Sequence, residues 1–303
     1  MIKPKVSVGI SAYNEEHNLA QLLRSITRGK AQSFELAEII VVSDGSTDRT
    51  AEIARSLGDE RLKLIEFPRR EGKNSALNTI TAQATGDFLV LIDADSLPRN
   101  DDYLAEMVGP LIANPDVGMV GSEVLPMPAQ TTLERVINHG HALKREMFRS
   151  WKNGQNIFEC HGRSRAFSKK LYKRIVLPFD CVEDAYSYLF AVHNRSPFRF
   201  VSQTAVYFRA PQTLRDYIRQ SSRFLQSGKT LEKHFGADLV RDEYALPRSL
   251  IMRATAKEFF RYPVLTLEYI GLHLLSRVAA KFVTFDQSFI KPSPSSKKLI
   301  AVN

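Results

Sequence analysis

The sequence FLVLIDAD, residues 88–95, decides the fold, because it reads as an apolar strand that ends in two carboxylates. Five consecutive apolar residues suit a strand that is buried on both faces of a parallel sheet. Residues i and i+2 of an extended chain point the same way, so Asp93 and Asp95 emerge together at the strand end. Oxygen ligands there suit Mg²⁺ or Mn²⁺, although Asp-x-Asp pairs are also common without a metal.

The segments before this strand alternate between strand and helix patterns. Strands are predicted at residues 6–10, 38–42 and 62–67, and helices at 19–26, 49–57 and 74–84. This alternation predicts an α/β fold, a mainly parallel sheet with helices on both faces. Ligands of such sheets bind beyond the carboxyl ends of the strands, and the polar segments of this chain follow strands.

The pattern is less regular after residue 100. Helices are predicted at residues 102–113, 132–148 and 213–225, with another beginning near Glu183, and a strand is predicted at 117–120. Residues 155–173 pass from strand to helix, and residues 198–208 are predicted to form a hairpin. No internal repeat or linker is recognisable before residue 230.

The composition is that of a folded protein. The chain has 303 residues, of which 44% are apolar and 25% charged, which excludes collagen-like, low-complexity and disordered classes. Two cysteines, Cys160 and Cys181, are too few for a disulfide framework or a zinc cluster. The amino terminus lacks the apolar stretch of a signal peptide, so we expect a cytoplasmic protein.

The net charge of +9 is unevenly distributed along the chain. Residues 1–130 carry a net charge of −6, residues 131–230 of +11 and residues 231–303 of +4. The acidic segment suits a cation, and the basic segment suits an anionic partner such as nucleic acid, a phosphorylated small molecule or an anionic lipid surface.

Three further segments are candidates for ligand contact, and each has a structural alternative. In SDGSTD, residues 43–48, Asp44 offers acceptors to a nucleotide base, although the segment also suits a turn and helix cap. Lys73 lies at a predicted helix start, where backbone N–H groups favour phosphate; the alternative is that it is simply an exposed lysine. Glu183 and Asp184 open a helix, where a carboxylate suits either a general base or a partner of the helix dipole. The chain has neither a P-loop nor the Gly-x-Gly-x-x-Gly of dinucleotide dehydrogenases.

Six segments in this order resemble one known family. They are YNEE (13–16), SDGSTD (43–48), GKNSALN (72–78), DAD (93–95), ED (183–184) and QSSRF (220–224). Together they resemble the family 2 inverting glycosyltransferases, whose GT-A fold is Rossmann-like. The resemblance covers residues 5–230 and is most specific in the first hundred residues. The QSSRF segment resembles a block that is seen in the membrane polysaccharide and glycolipid synthases of this family.

The resemblance implies a role for each matching residue. The nucleotide sugar would be bound by the first half of the chain and the QSSRF segment, through Ala12, Glu15, Asp44, Lys73, Asp93, Gln220 and Arg223. Asp95 would bind the metal on the diphosphate. Asp184 matches the catalytic base and Glu183 its neighbour, while Gly162 and Arg163 would lie on the acceptor side.

The implied chemistry is sugar transfer with inversion at the anomeric carbon. Asp184 would take the proton of the acceptor hydroxyl as its oxygen attacks. Mn²⁺ or Mg²⁺ on Asp95 would stabilise the departing nucleoside diphosphate, and UDP-sugars are the expected donors.

Two positions depart from the family pattern. Phe224 stands where the family has tryptophan, which weakens inference about an acceptor channel. Arg163 and Arg165 stand where small residues are common. They either favour an anionic acceptor or are solvated surface charges, and the sequence leaves both interpretations open.

The resemblance suggests a division of the chain. Residues 1–230 would form the glycosyltransferase domain, with a nucleotide-sugar half at 1–130 and an acceptor half at 131–230. Residues 231–303 would form a C-terminal helical segment.

The C-terminal segment predicts two amphipathic helices separated at Pro263. Basic residues recur at helical spacing over 253–261 and 273–281, and the second stripe lies opposite apolar residues of 267–278. Such helices either lie on an anionic membrane surface or pack on the catalytic domain with their cations in water, and both remain open. No apolar run reaches the ~20 residues of a membrane span. The last dozen residues are expected to be disordered.

The sequence therefore predicts a cytoplasmic, metal-dependent inverting glycosyltransferase, and it leaves open a peripheral contact with the inner face of the cell membrane. Its acceptor would be a lipid-linked or saccharide hydroxyl, and it would add one or a few sugars. The alternative is a non-catalytic module that binds a nucleotide sugar or acts as a scaffold. A nucleic-acid binder is disfavoured, because the basic segment lacks an interleaved aromatic platform.

Overall fold

A computed structural model describes residues 2–226, 228–282 and 299 of the protein. Its strands are β1 (Lys5–Ala12), β2 (Glu35–Asp44), β3 (Leu62–Phe67), β4 (Phe88–Asp93), β5 (Leu97–Pro98), β6 (Met119–Pro126), β7 (Ser164–Ser168) and β8 (Phe198–Phe208). Its helices are α1 (Leu19–Arg28), α2 (Thr50–Ser56), α3 (Lys73–Gln83), α4 (Tyr103–Ala113), α5 (Thr132–Ser150), α6 (Lys169–Tyr172), α7 (Glu183–His193), α8 (Leu214–Gln226), α9 (Gly228–Phe235), α10 (Ala237–Tyr244), α11 (Arg248–Arg261) and α12 (Pro263–Ala279).

The described strands form one sheet in the order β3-β2-β1-β4-β7-β6-β8-β5. β1 pairs in parallel with β2 and β4, β2 with β3, and β6 with β8. β7 runs antiparallel between β4 and β6, and the short β5 runs antiparallel to β8. The predicted α/β fold with a mainly parallel sheet is confirmed.

Alternate residues of the central strand β4 pack into two cores. Val90 and Ile92 belong to a core closed by α1 and α4, whereas Leu89 and Leu91 belong to a core closed by α3 and α7. Both pairs are almost fully buried. Burial on both faces is why β4 reads as an unbroken apolar run, and it confirms helices on both faces of the sheet.

Residues 198–208 form one long strand, β8, so the predicted hairpin is wrong. Val201 pairs with Ser122 of β6, but the next residue of β6, Glu123, pairs with Ala205. Residues 202–204 are therefore extra residues that bulge from a continuous strand. Their sequence, Ser-Gln-Thr, is polar and turn-like, which explains the prediction.

The C-terminal helices pack on the helices before them. Pro263 is the first residue of α12, so it separates α11 from α12 as predicted. α11 packs against α5 and α12, and α12 packs against α5, α8 and α11. Among the residues the structure describes, no helix is both long and apolar enough to cross a bilayer.

A glycine makes the contact between α5 and α12 possible. Tyr269 of α12 lies over Gly140 of α5, and a Cβ at Gly140 would come within 2.0 Å of the tyrosine ring. Thr266 and Ser276, on the same side of α12 as Tyr269, are also buried, and His139 of α5 hydrogen-bonds to Thr266. The inner face of α12 is therefore fixed on α5 by small and polar groups.

The last dozen residues, 292–303, lie outside the described residues except for Leu299. Leu299 is buried, its backbone N–H donates to Asn18 Oδ1, and its carbonyl accepts from Arg209. The predicted disorder of the other residues remains a prediction.

Candidate active site

The carboxyl ends of three adjacent parallel strands meet at one edge of the sheet. β1 ends at Ala12, β2 at Asp44 and β4 at Asp93. Ser11 pairs with Asp93, and Ala12 pairs with Ser43, so the loops that follow these strands lie side by side. The candidate residues of the first half therefore gather at the edge where ligands of such sheets bind.

The loops after β1 and β2 are joined by hydrogen bonds. Asn14 adopts φ 54°, a left-handed conformation that asparagine tolerates, and its Oδ1 accepts the Thr47 N–H at 2.7 Å. The Glu15 N–H donates to Thr50 Oγ1 at 2.7 Å. The Glu15 carboxylate is buried and accepts from Asn18 Nδ2 at 2.8 Å. The first loop is thus held in place before any ligand arrives.

Asp44 is buried and holds the segment before α3. Its carboxylate accepts the N–H of Glu71 at 2.6 Å and the N–H of Gly72 at 3.0 Å. Arg70 also lies 3.8 Å from it. Because Lys73 follows at the start of α3, Asp44 fixes the position from which that lysine reaches into the site. The implied contact of Asp44 with a nucleotide base remains a prediction.

Gly45 is required for this arrangement. Its φ is +63°, a conformation that side chains other than glycine rarely adopt. A Cβ there would lie 2.4 Å from the backbone nitrogen of Arg70 and 2.5 Å from the carbonyl carbon of Arg69. The turn after β2 and the segment before α3 can therefore approach each other only at a glycine.

Lys73 joins two carboxylates that come from distant parts of the chain. Its Nζ lies 2.7 Å from Asp93 Oδ1 and 2.6 Å from Glu183 Oε1. Burial opposes the charge of Lys73, but Asp93 and Glu183 outweigh it and raise the lysine pKa. Burial raises the pKa of Asp93, and the negative charges of Asp95 and Glu183 add to this against the opposing effect of Lys73.

Asp95 is paired with Arg163. The two side chains meet at 2.7 Å between Arg163 Nη1 and Asp95 Oδ1, and the guanidinium lies over the ring of Phe208. Burial alone would raise the pKa of Asp95, but the Arg163 charge and hydrogen bond hold it below its usual value. The negative charge of Glu15 also acts on Arg163.

Asp184 lies at the start of α7 and is held by backbone donors. Its Oδ2 accepts the Gly162 N–H at 3.2 Å, and its Oδ1 accepts the Ala185 N–H at 2.7 Å. Burial raises the pKa of Asp184, and the neighbouring charge of Glu183 raises it further. A Cβ on Gly162 would lie 2.6 Å from Glu183 Oε1, so glycine allows this close approach. A carboxyl with a raised pKa, held in place, suits proton transfer.

Arg165, which the sequence offered as either a contact for an anionic acceptor or a surface charge, lies buried beside Glu183. It is fully buried, and its Nη1 donates to the Glu183 carbonyl at 2.9 Å and to Ser187 Oγ at 3.0 Å. Its Nε and Nη2 have no hydrogen-bond partner within the described part of the chain. Its charge lowers the pKa of Asp184 against the effect of burial. The interpretation of Arg163 and Arg165 as solvated surface charges is therefore wrong.

The structure does not bring every predicted residue to this cluster. Gln220 lies half-buried on α8, and no hydrogen bond or ion pair within the described residues joins it to the carboxylates of the site. The backbone of Arg223 lies on the same helix, but its side chain is outside the described part of the structure. Ala12 contributes backbone at the end of β1. Their binding roles remain predictions.

The carboxylate of Asp95 is a suitable ligand for a divalent cation. The described residues do not, however, place a complete set of metal ligands around it. Mg²⁺ and Mn²⁺ often bind through one or two carboxylates plus substrate phosphates and waters. Only one oxygen of Asp95 is bonded to Arg163. Within the described residues, the group of three side chains close enough to share an ion is Asp180, Cys181 and His234, which does not include Asp93 or Asp95. A metal on Asp95 would therefore need ligands from a bound substrate.

The sequence matches a known family over more than half its length. The model of glycosyl transferase family 2 matches residues 7–176. The chain is 34% identical over 140 residues to the probable glycosyltransferase YdaM of Bacillus subtilis, covering 45% of this chain and 33% of that protein. It is 38% identical over 94 residues to the undecaprenyl-phosphate 4-deoxy-4-formamido-L-arabinose transferase of Proteus mirabilis, covering 30% and 29%. These matches span about a third of each relative's length.

Solved structures share the fold at lower identity. The mannosyltransferase PcManGT of Pyrobaculum calidifontis, solved with GDP-Man and Mn²⁺, aligns with a TM-score of 0.60 at 21% identity, covering 95% of this chain and 78% of that chain. The glucosyl-3-phosphoglycerate synthase of Mycobacterium tuberculosis, solved with Mn²⁺, UDP and phosphoglyceric acid, aligns with a TM-score of 0.54 at 20% identity, covering 77% and 79%. These neighbours are GT-A glycosyltransferases, so the GT-A fold is confirmed. With the family match over residues 7–176, the chain belongs to glycosyl transferase family 2.

Proposed function

We propose that the protein is a metal-dependent inverting glycosyltransferase. It transfers a sugar from a nucleotide-diphosphate sugar, with UDP-sugars the first candidates, to a hydroxyl of a lipid-linked or saccharide acceptor. The observation that carries this proposal is the Asp184 carboxylate, held by the Gly162 N–H beside the Lys73, Asp93 and Glu183 cluster. Membership in family 2 supports the reaction class.

Asp184 acts as the general base. It takes the proton of the acceptor hydroxyl while that oxygen bonds to the anomeric carbon and the bond to the nucleoside diphosphate breaks. Its raised pKa favours proton uptake, and its two backbone donors fix the direction in which it accepts. Glu183 points instead to Lys73 and serves to orient that lysine.

The cations of the site bind the donor. Lys73 and Arg163 stand beside the Asp-x-Asp pair, where they oppose the charge of a diphosphate and orient it. The pairing with Asp95 thus leads us to assign Arg163, which was expected on the acceptor side, to the donor side. Ala12, Glu15 and Asp44 form the side of the site next to β1 and β2, where the nucleoside binds. Asp95 would hold Mn²⁺ or Mg²⁺, which would supply positive charge that stabilises the leaving diphosphate.

Relatives and structural neighbours support the substrate classes. The Proteus mirabilis relative is named as an undecaprenyl-phosphate transferase, which supports a lipid-linked acceptor. Neighbours were solved with GDP-Man or UDP and with Mn²⁺, which supports a nucleotide sugar and a divalent metal. We further propose the division into a donor half at 1–130, an acceptor half at 131–230 and a C-terminal helical segment at 231–303.

The test is binding of UDP, GDP and dTDP, measured by calorimetry with and without Mn²⁺. We expect the wild type to bind one nucleotide in a metal-dependent manner, and we expect Asp95→Ala to lose that dependence. Asp184→Asn should bind nucleotide as the wild type does, but transfer should fall by roughly 10²–10⁴-fold. Retained turnover in Asp184→Asn would remove it as the base.

The alternative, a non-catalytic nucleotide-sugar module, gives a different result. Such a module would bind the nucleotide but would not consume donor with any acceptor. Arg199→Gln is a matched control, because Arg199 is exposed on β8 and should change neither binding nor transfer. If no nucleotide binds under any condition, the proposal is wrong.

A further inference from the structure

The outer faces of α11 and α12 are strongly apolar. Seventeen large hydrophobic side chains are exposed in the described residues, and eleven of them lie between Ile251 and Phe282. Phe260 is 85% exposed and Phe282 83%. Monomeric proteins rarely collect so many exposed apolar side chains in one place unless the surface binds something.

These side chains face away from the rest of the protein. On α12 the buried positions include Thr266, Tyr269 and Ser276, whereas the apolar residues between them are exposed. The exposed apolar residues of α12 are Val264, Leu267, Leu274, Leu275 and Val278. Leu272 and Tyr269 of α12 pack inward, but five other large apolar side chains lie outward, where an ordinary surface helix carries polar residues.

α11 continues the same surface. Its buried residues, Ala254 and Glu258, face α5, while Met252, Phe259 and Phe260 are exposed. Because α11 and α12 pack against each other, the two apolar faces adjoin. We call the exposed residues of 251–282 the outer apolar surface.

Cations border the outer apolar surface. Residues 248–282 contain six lysines and arginines and two carboxylates, and one of these carboxylates, Glu258, is buried beside His139. Arg253, Lys257 and Arg261 are exposed along α11, and Arg277 and Lys281 are exposed at the end of α12. Apolar side chains bordered by cations match a bilayer of anionic lipid, whose interior takes the former and whose headgroups take the latter.

We propose that the outer apolar surface docks on an anionic phospholipid bilayer. The apolar side chains of α11 and α12 enter the headgroup boundary, and the bordering cations contact lipid phosphates. The two helices then lie along the membrane plane. Docking does not use the donor site, so it stands or falls separately from the proposed transferase activity.

The test is co-flotation of the full-length protein with vesicles, without donor or acceptor. We expect binding to vesicles that contain phosphatidylglycerol, weak binding to phosphatidylcholine alone, and loss of binding as salt increases. The triple variant Arg253→Gln, Lys257→Gln, Arg261→Gln should lower the partition coefficient on anionic vesicles by about a hundredfold. The double variant Phe260→Ser, Val264→Ser should lower binding to both kinds of vesicle.

Matched controls exist elsewhere on the protein. Arg24→Gln, Lys170→Gln, Arg199→Gln removes the same three charges from exposed positions of the catalytic region, so its net charge equals that of the triple variant. Phe179→Ser, Val176→Ser removes the same two side chain types, which are 64% and 69% exposed. Both controls should bind vesicles as the wild type does, and thermal unfolding should confirm that every variant is folded.

Two results would overturn the proposal. The first is a wild type that does not float with anionic vesicles, or control variants that lose as much binding as the test variants. The second is a concentration-dependent dimer in sedimentation that the Phe260→Ser, Val264→Ser variant dissociates while vesicle binding is absent. That outcome would assign the outer apolar surface to a second copy of the chain.

Discussion

At the scale of single residues, the site consists of paired charges, and the pairs differ in what they do to each carboxyl. Asp95 is bonded to Arg163, which keeps its pKa low, whereas Asp184 is held by backbone N–H groups beside Glu183, and its pKa is raised. Two carboxyls pushed in opposite directions suit two tasks, since one remains a charged ligand and the other exchanges a proton.

Arg165 is expected to set the pH dependence through Asp184. A general base works only when ionised, so activity is lost as pH falls through the pKa of Asp184. The Arg165 charge lowers that pKa, and Arg165→Met should therefore raise it and move the acid limb of kcat/KM to higher pH.

The pH profile separates this effect from a structural one. Arg165→Lys keeps the charge and should keep the acid limb close to that of the wild type. A lower rate in Arg165→Met with an unmoved acid limb would mean that Arg165 supports the fold around Glu183 without tuning Asp184.

Arg163 is expected to compete with the metal for Asp95. Any divalent cation that binds Asp95 must take a carboxylate already bonded to a guanidinium at 2.7 Å. In Arg163→Gln, the Mn²⁺ concentration that gives half-maximal nucleotide binding should fall, as measured by calorimetry at fixed nucleotide. At saturating Mn²⁺, the affinity of this variant for the nucleotide should not exceed that of the wild type, because the variant lacks a cation that faces the diphosphate.

The control for this experiment is Lys170→Gln, an exposed charge on α6. It should leave the Mn²⁺ titration unchanged. A half-saturation point that rises in Arg163→Gln contradicts the competition.

At the scale of elements, the contact between α5 and α12 depends on Gly140. Replacing a glycine inside a helix by alanine usually stabilises a protein by about 1 kcal/mol, because alanine is the better helix former. At Gly140 the added Cβ would meet the ring of Tyr269, so Gly140→Ala should destabilise instead and lower the thermal midpoint. Limited proteolysis should then cut more readily near α12.

Gly271 provides the matched control on α12 itself. A Cβ at Gly271 meets nothing within 4 Å, so Gly271→Ala should raise the thermal midpoint. If both variants gain stability, Tyr269 does not pack on Gly140 as described.

Much of the fold was predictable, since strands β1, β2 and β4 carry the apolar runs of a sheet that is covered on both faces. The continuous strand β8 was not predictable from the sequence, because a three-residue bulge and a turn have similar polar sequences. Only the pairing with β6 distinguishes the two. In the site, motif order pointed to Lys73, Asp93 and Asp184. The burial of Arg165 was unpredictable, because its neighbours on α7 are distant in sequence.

At the scale of the whole molecule, the outer apolar surface and the charged site belong to different parts of one fold. α5 connects them: its Arg145 and Arg149 pair with Glu123 of β6, while its Gly140 receives Tyr269 of α12. The predicted division into halves and a C-terminal segment remains a prediction, and these contacts tie the three parts together.

The strand order also fixes when the sheet can be completed during synthesis. β3, β2, β1 and β4 are neighbours in the sheet and form one end of it, so these four strands can pair with one another as soon as they leave the ribosome. The other edge of β4 waits for β7, which begins about 70 residues later, or roughly 4 to 14 s at ordinary rates of translation. β6 is made before both of its partners, β7 and β8, and stays unpaired during that interval. The nascent chain therefore exposes one open edge of β4 and both edges of β6, and chaperone binding should be concentrated in that interval.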